Sequence, residues 1–598
     1  MQALLQGCRR LFELARRMVH SALTAAKHQE LGGIVFWAAL IGVVGAFTGV
    51  GFRASVRLVQ RLLTGQSGGL VETAELLPWW ARIAVPTIGG VIAGALLWAG
   101  QRLLKRAQTV DYMEAVAVGN GQLSSRSALI QAASSFFTIG SGGSIGREGP
   151  LVQLAASFAS KVGQWTQVPP PRLRLLVACG ASAGLAAAYN APIAGALFVA
   201  EVVLGSIAME SFGPLIVASV VSDATSRYFL GYGPVYVVPH INFGATWELV
   251  LYAVLGILLG HAAPPYLALL ERARGRFREL NWPKPVTLAL GGMIVGVISV
   301  GVPQVWGNGY SVVNDMLNDR LGFDLLAILL VSKLISTLAS VGSGANGGIL
   351  TPTLFMGAAF GALYANGLHF VHPHLTSQIA AYAVVGMGGF LAATTHAPLT
   401  SILLIFEMTL DYEVVLPLML ACVTGHYVAR IYRRGESVYT KTLKARNPGV
   451  GSEGNLTQIG QLMRSPGLVV QRDAPLRDAI AGGQGGAGMA YVVDAQRQLV
   501  GLLDVASLRR QDRTSTAGPW QQVVQYAQPP PPVLTPEMLL GHALDVFIAS
   551  RAKQLPVVSG QWSPVLIGEV SRHDLLLALQ ERIAEQRSNK KAQAADTA

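Results

Sequence analysis

Gly146-Arg147-Glu148-Gly149-Pro150 sets a carboxylate and a guanidinium side by side, directly behind the small-residue run Gly140-Ser-Gly-Gly-Ser-Ile145, in an otherwise strongly apolar chain. A charged side chain within a membrane segment costs roughly 2.5 to 3.5 kcal/mol on insertion scales, so it faces a pathway or a buried partner rather than lipid. Pro150 suits the first turn of a helix, where an N–H would have no partner. Such a helix end carries about half a positive elementary charge and several unpaired N–H groups, which together favour an anion. Protonation of a glutamate at that mouth removes a charge that the helix end favours, so this side chain can couple anion occupancy to pH. The chemistry within reach is the admission and exclusion of an anion. Cys8, Cys179 and Cys422 are far apart and lack metal-ligand spacing, so they read as free thiols and no metal site is expected.

The elements that must position these residues are membrane helices. Hydrophobic residues make up 51% of the chain and charged residues 13%, against about 25% charged in soluble domains, and mean hydropathy is +0.44. Apolar runs of near-spanning length, about 20 residues, recur at 33–50, 82–100, 173–205, 211–231, 247–270, 285–303, 323–340 and 397–432. Between them lie shorter apolar pieces interrupted by Gly and Pro, a pattern tolerated in a bilayer only where the broken backbone is buried in protein or lines a cavity. The net charge of +12 does not point to nucleic acid, because the basic residues gather at the ends and in loops. Arg9, Arg10, Arg16, Arg17 and Lys27 precede the first run, and Arg430, Arg433, Arg434, Lys441, Lys444 and Arg446 follow the last. The positive-inside bias then puts both termini of a multi-pass membrane protein in the cytoplasm. Residues 10–27 read either as a basic amphipathic helix on the membrane surface or as a solvated leader. Trp79, Trp80 and Trp247 flank apolar runs as interfacial anchors.

The membrane region is an internal duplication. The segment starting at Gly140 matches Gly342-Ser-Gly-Ala-Asn-Gly-Gly-Ile-Leu-Thr-Pro352, and Asn190-Ala-Pro-Ile-Ala-Gly-Ala-Leu-Phe-Val-Ala-Glu201 matches His396-Ala-Pro-Leu-Thr-Ser-Ile-Leu-Leu-Ile-Phe-Glu407. Pro150, Pro352, Pro192 and Pro398 mark corresponding helix starts in the two halves. Broken helices at matching places point to a binding site near the bilayer midplane, between the halves. Glu201 and Glu407 correspond, which argues that both are structural carboxylates, pairing or capping within the fold. His396 stands where the first half has Asn190, so it reads as a helix-start residue rather than a ligand. Asp111, Glu114, Asp315 and Asp319 read as loop or helix-end residues without a role in the site.

The Gly146-Arg147-Glu148-Gly149-Pro150 motif, Gly347-Gly348-Ile349-Leu350-Thr351-Pro352 and Tyr439 just after the last span resemble the ClC chloride channel and transporter family. The resemblance covers about residues 31–445. It implies an all-α membrane domain of about 18 helices in two inverted halves, about 31–235 and 245–445, and a homodimer in which each subunit has its own pore. Glu148 would be the gating glutamate. Gly146, Arg147, Gly149, Gly348, Ile349, Leu350 and Tyr439 would surround the anion, chiefly through backbone N–H groups and the Tyr439 hydroxyl. Arg147 either lends positive potential to the path or holds its loop. Leu350 stands where the family often has phenylalanine. Ala107 falls at the family's anion-contacting serine, which puts the chloride-over-nitrate preference in doubt, although Thr109 or Tyr112 could substitute. Val202 occupies the position where exchangers commonly have a second, inner glutamate; channels of the family have valine there.

After Arg446 the composition changes. Residues 447–454 form a turn-rich linker, and 456–584 hold two units of β-α-β-β-α order, about 456–512 and 518–584, which resemble a tandem pair of CBS domains. Their paired strands are expected at 490–494 with 498–503 and at 554–558 with 565–570. Such pairs often bind adenine nucleotides, and Ser571-Arg572-His573-Asp574 fits the ribose-holding pattern; the same residues equally form an N-cap. Residues 585–598 read as a disordered tail. The chain is thus expected to be no enzyme and to require no cofactor, but to conduct chloride passively or with weak coupling. Two other readings stand beside that one: a chloride/proton antiporter with a non-standard proton route, and a non-conducting membrane sensor that reads nucleotide.

Overall fold

A computed structural model describes residues 30–103, 110–117, 119–205, 209–231, 233–239, 241, 246–371, 378–433, 458–482, 489–512, 522–538, 540–550, 552–560, 564–575 and 577–578. The chain divides into two compact units, Met1–Lys441 and Thr442–Ala598. The described part of the first is helical throughout. Seven of its helices are long and apolar enough to cross a membrane: Gly33–Thr64, Trp79–Leu103, Glu248–Glu279, Lys284–Gly301, Phe323–Gly342, Leu350–Val371 and Val415–Tyr432. Three shorter apolar helices, Pro192–Leu204, Ile379–Thr395 and Pro398–Thr409, lie among them.

Two of the expected spans are each two helices. The run 173–205 divides into α1 (Pro170–Tyr189) and α2 (Pro192–Phe198), and α2 continues as a π-helical turn, Val199–Leu204. The run 397–432 divides into α3 (Pro398–Thr409) and α4 (Val415–Arg433). The breaks have local causes. Asn190 and His396 adopt left-handed backbone, with φ of 54° and 58°, and Pro192 and Pro398 begin the next helices two residues on. His396 therefore closes one helix, and Ala397 is the N-cap of the next. Leu350–Val371 is a spanning helix that the apolar runs did not single out; Pro352, Gly357, Gly361 and Gly367 dilute its hydropathy.

Glycine lets these helices approach backbone to backbone, the packing that works where lipid removes the hydrophobic drive between helices. A Cβ at Gly90 would meet the Leu288 carbonyl, and one at Gly292 would meet that of Pro86, so Trp79–Leu103 and Lys284–Gly301 lie in direct contact. Gly361 meets Tyr382 in the same way, joining Leu350–Val371 to Ile379–Thr395.

The duplication is a structural symmetry. Gly146 and Gly348 are equivalent positions, and they pair with each other in an antiparallel bridge with N–H to carbonyl distances of 2.9 and 2.8 Å. A two-fold axis maps an antiparallel pair of equivalent residues onto itself, which is the geometry of inverted halves. Hydroxyls follow the same rule. Ser135 donates to the Asn346 carbonyl at 2.7 Å, and the equivalent pair, Thr337 and Ser144, are bonded at 3.3 Å.

In the second unit, β1 (Leu468–Gln471), β2 (Ala490–Val493) and β3 (Leu499–Leu503) form one sheet, with β1 parallel and β3 antiparallel to β2. β4 (Gln554–Val558) and β5 (Leu566–Ser571) pair antiparallel, and Leu534 adds a single parallel bridge to Val557. Pro529, Pro530, Pro531 and Pro532 cannot donate to a ladder, and pairing is confined to Leu534. Each half is closed by the leading segment of the other. Ile459 packs with Leu534, Phe547 and Val557, while Val523 packs with Leu476, Val492 and Leu503.

Candidate functional site

Glu148 opens α5 (Glu148–Trp165), and the Gly146–Gly348 bridge holds that end against the start of α6 (Leu350–Val371). The side chain is 2% exposed. Its carboxylate turns across the pseudo-two-fold axis onto the other half: Oε1 accepts from the Thr351 N–H at 3.1 Å and Oε2 from the Thr351 hydroxyl at 3.0 Å. Thr351 lies in the first turn of α6, where unpaired N–H groups and the helix dipole favour negative charge. The glutamate of one half thus occupies the anion-favouring helix end of the other. The Thr351 hydroxyl is itself bonded to the Tyr189 hydroxyl at 3.1 Å.

Arg147 points away from this bond. Its guanidinium donates to the Ala188 carbonyl at 3.2 Å and lies over the Tyr310 ring, 5.2 Å from the centroid. Arg53 donates to the carbonyls of Ala187 at 2.7 Å and Ala188 at 3.2 Å, so two guanidinium groups meet on one carbonyl. Lys333 is fully buried and donates to Val305 at 3.0 Å and Gly307 at 2.8 Å, with its ammonium beside the Phe355 ring. Backbone carbonyls accept from all three side chains.

The other two helix starts are occupied by carboxylates in a reciprocal exchange. Glu407 of α3 accepts from the N–H groups of Ile193 and Ala194 at the start of α2, at 2.9 and 2.8 Å. Glu201, on the π turn after α2, accepts from Leu399 at 3.3 Å, and from the N–H and hydroxyl of Thr400 at 2.9 and 2.6 Å, at the start of α3. Both glutamates cap helices of the opposite half, the structural role expected of them. Among the four helix starts marked by proline, those at Pro192, Pro398 and Pro352 each hold a glutamate carboxylate from the opposite half.

The structure brings Gly146, Arg147, Glu148, Gly149, Gly348, Ile349 and Leu350 together. Gly146 and Gly348 give their N–H groups to each other's carbonyls, so these two frame the site and do not offer amides to an anion. Tyr439 and Ala107 lie outside the described residues. Thr351, Tyr189, Arg53 and Lys333 were not singled out in the sequence. Thr351 had a signal there, a hydroxyl immediately before the proline of a helix start.

The Ser571-x-x-Asp574 pattern forms a cap. The Ser571 hydroxyl donates to Asp574 at 2.7 Å and accepts from the Asp574 N–H at 3.1 Å, and Arg464 pairs with the same carboxylate at 2.6 Å. The first half has the same cap with the residues exchanged, since Asp504 accepts from the N–H and hydroxyl of Ser507 at 2.9 and 2.6 Å.

Comparison with known proteins gives the geometry its family. The voltage-gated chloride channel family matches residues 89–430, and the CBS domain matches 523–581. The chain belongs to the ClC family. A ClcB-like chloride channel protein of Ralstonia nicotianae is 53% identical over 414 residues, which cover 69% of this chain and 96% of that one. The voltage-gated ClC-type chloride channel ClcB of Escherichia coli strain HS is 38% identical over 408 residues, covering 67% and 96%. Among solved structures, a slow cyanobacterial Cl-/H+ antiporter aligns with a TM-score of 0.61 at 26% identity, covering 70% of this chain and 99% of that one. A eukaryotic CLC transporter aligns with a TM-score of 0.59 at 18% identity, covering 90% and 97%, and shares the fold. The chain carries a ClC membrane domain followed by a CBS region.

Proposed function

We propose that this ClC protein conducts chloride passively or with weak proton coupling, and that Glu148 is its gate. The observation that carries this is the Glu148 carboxylate seated on the Thr351 N–H at the start of α6. A carboxylate in that position mimics the anion it would compete with. Gly149, Ile349, Leu350 and Tyr439 would supply the rest of the anion's surroundings, with Arg147 adding positive potential. Transport lies in residues 31–445 of a homodimer in the inner membrane, with both termini cytoplasmic. Val202 favours a channel over an exchanger, because an aliphatic side chain cannot relay a proton.

The similarity to a Cl-/H+ antiporter favours a second reading, in which protons reach Glu148 by another route. Paired chloride and proton flux from proteoliposomes separates the two. Passive conduction predicts chloride efflux that rises as pH falls, with no proton movement driven by a chloride gradient. Chloride-driven proton uptake would establish exchange. Glu148→Ala is expected to give high, pH-independent chloride efflux; efflux that keeps the wild-type pH dependence would remove Glu148 from the gate.

An adenine nucleotide at Ser571 and Asp574 would have to displace Arg464 from Asp574. This predicts that Arg464→Ala raises the affinity of the full-length protein for ATP or AMP, measured by calorimetry in detergent.

A further inference from the structure

We propose that Tyr189 and Thr351 form a two-hydroxyl latch that holds the Glu148 carboxylate over the anion site and sets how readily the path opens. The inference rests on Glu148 being the gate. Neither hydroxyl belongs to the backbone cradle of the helix end; both are added by side chains of this sequence, one from α1 and one from α6.

The donors and acceptors fix the direction of the chain. An ionised carboxylate only accepts, so Thr351 gives its single hydroxyl proton to Oε2 across 3.0 Å. The lone pair that remains on Thr351 then accepts from Tyr189 across 3.1 Å. Bonds in such a chain polarise one another, and a charged acceptor makes each link stronger than a neutral one. All three groups are buried, Glu148 at 2%, Thr351 at 1% and Tyr189 at 0% exposure, so water does not replace a lost partner without cost.

Protonating Glu148 weakens the acceptor, and the whole chain loosens with it. The latch thereby widens the difference between the ionised, blocking glutamate and the protonated, leaving one. The other charged and titratable groups facing Glu148 are Arg147 at its own helix end, Tyr310, and Tyr236 from the segment before Glu248–Glu279. Arg147 is engaged with Ala188, and Tyr310 also approaches the Thr351 hydroxyl, beside Tyr189.

The test is chloride efflux from proteoliposomes across a pH series for full-length Thr351→Val, Thr351→Ser and Tyr189→Phe, each also in the Glu148→Ala background. Loss of one hydrogen bond to a charged acceptor corresponds to about a tenfold change in occupancy. Thr351→Val is therefore expected to raise efflux at neutral pH by about that factor and to flatten the pH profile. Tyr189→Phe, which removes one oxygen and keeps the ring, is expected to shift both in the same direction by less. Thr351→Ser restores the wild-type profile, and none of the three changes efflux once Glu148 is alanine. Wild-type profiles for both Thr351→Val and Tyr189→Phe, beside a raised Glu148→Ala, would overturn the latch and leave the gate standing. Equal effects with and without Glu148 would overturn it as well, by making the role merely structural. Should Thr351→Val fail to fold, Tyr189→Phe decides alone. A Glu148→Ala protein indistinguishable from wild type would overturn gate and latch together.

Discussion

A methyl group at Gly348 would collide with the Glu148 carboxylate, and one at Gly146 would do the same from the other side. The atoms in the way are the far end of a flexible side chain, so the glutamate can yield while the Gly146–Gly348 bridge remains. Gly348→Ala is therefore expected to push Glu148 out of its seat and reproduce the Glu148→Ala phenotype: raised chloride efflux at neutral pH with a weakened pH dependence. Efflux from proteoliposomes checks this, and the combination with Glu148→Ala should add nothing. A closed or unfolded Gly348→Ala protein would mean that the bridge, and not the carboxylate, gives way. The glutamate and both glycines were legible in the sequence through motif and repeat. What they do with their hydrogen bonds was not, because that depends on two segments about 200 residues apart meeting on a symmetry axis. Thr351 was hidden for a related reason: its repeat partner is Gly149, so the comparison of the halves offered no matching hydroxyl.

Reciprocal capping makes α2 and α3 a single mechanical unit across the two halves. Glu407 satisfies two N–H groups of α2, and Glu201 satisfies two of α3 together with the Thr400 hydroxyl. Each N–H left buried without an acceptor costs about 1 to 3 kcal/mol, and loss of the charge at a helix end adds about 0.3 to 1 kcal/mol. Glu407→Ala is thus expected to lower the thermal midpoint of the detergent-solubilised protein more than Glu407→Gln, whose amide oxygen can still accept. Fluorescence-detected melting measures both, and equal midpoints would show that water or a neighbouring group replaces the cap. Matched glutamates in matched segments had pointed to structural carboxylates; that each serves the opposite half could be learned only from the fold. Helix boundaries were harder. A continuous apolar run such as 173–205 conceals a left-handed residue that Asn190 and Pro192 mark only jointly, and the helix from Leu350 is diluted by the glycines that let it pack closely.

At the scale of the whole molecule, the division of labour follows from where the relatives end. Proteins carrying the ClcB name are matched over 96% of their length by little more than 400 residues of this chain. The family match lies within 89–430, inside the compact unit Met1–Lys441. A chain ending after Arg446 is accordingly expected to insert, and to pass chloride at the full-length rate per molecule in liposomes. The second unit has hydrophobic clusters of its own: one in each half, closed by the leading segment of the other half, and a third, Tyr491, Val493, Leu499, Val558 and Leu566, shared by both. Its order of strands and helices was readable because polar turns punctuate short β-branched runs, whereas the exchange of leading segments leaves no trace in local sequence. That exchange, with the shared cluster of Tyr491, Val493, Leu499, Val558 and Leu566, ties the two CBS-like halves together. If the truncated chain conducts as expected, any effect of ATP or AMP on full-length efflux must enter through residues 447–598. A truncated chain that inserts but does not conduct would instead make the second unit part of the transport machinery.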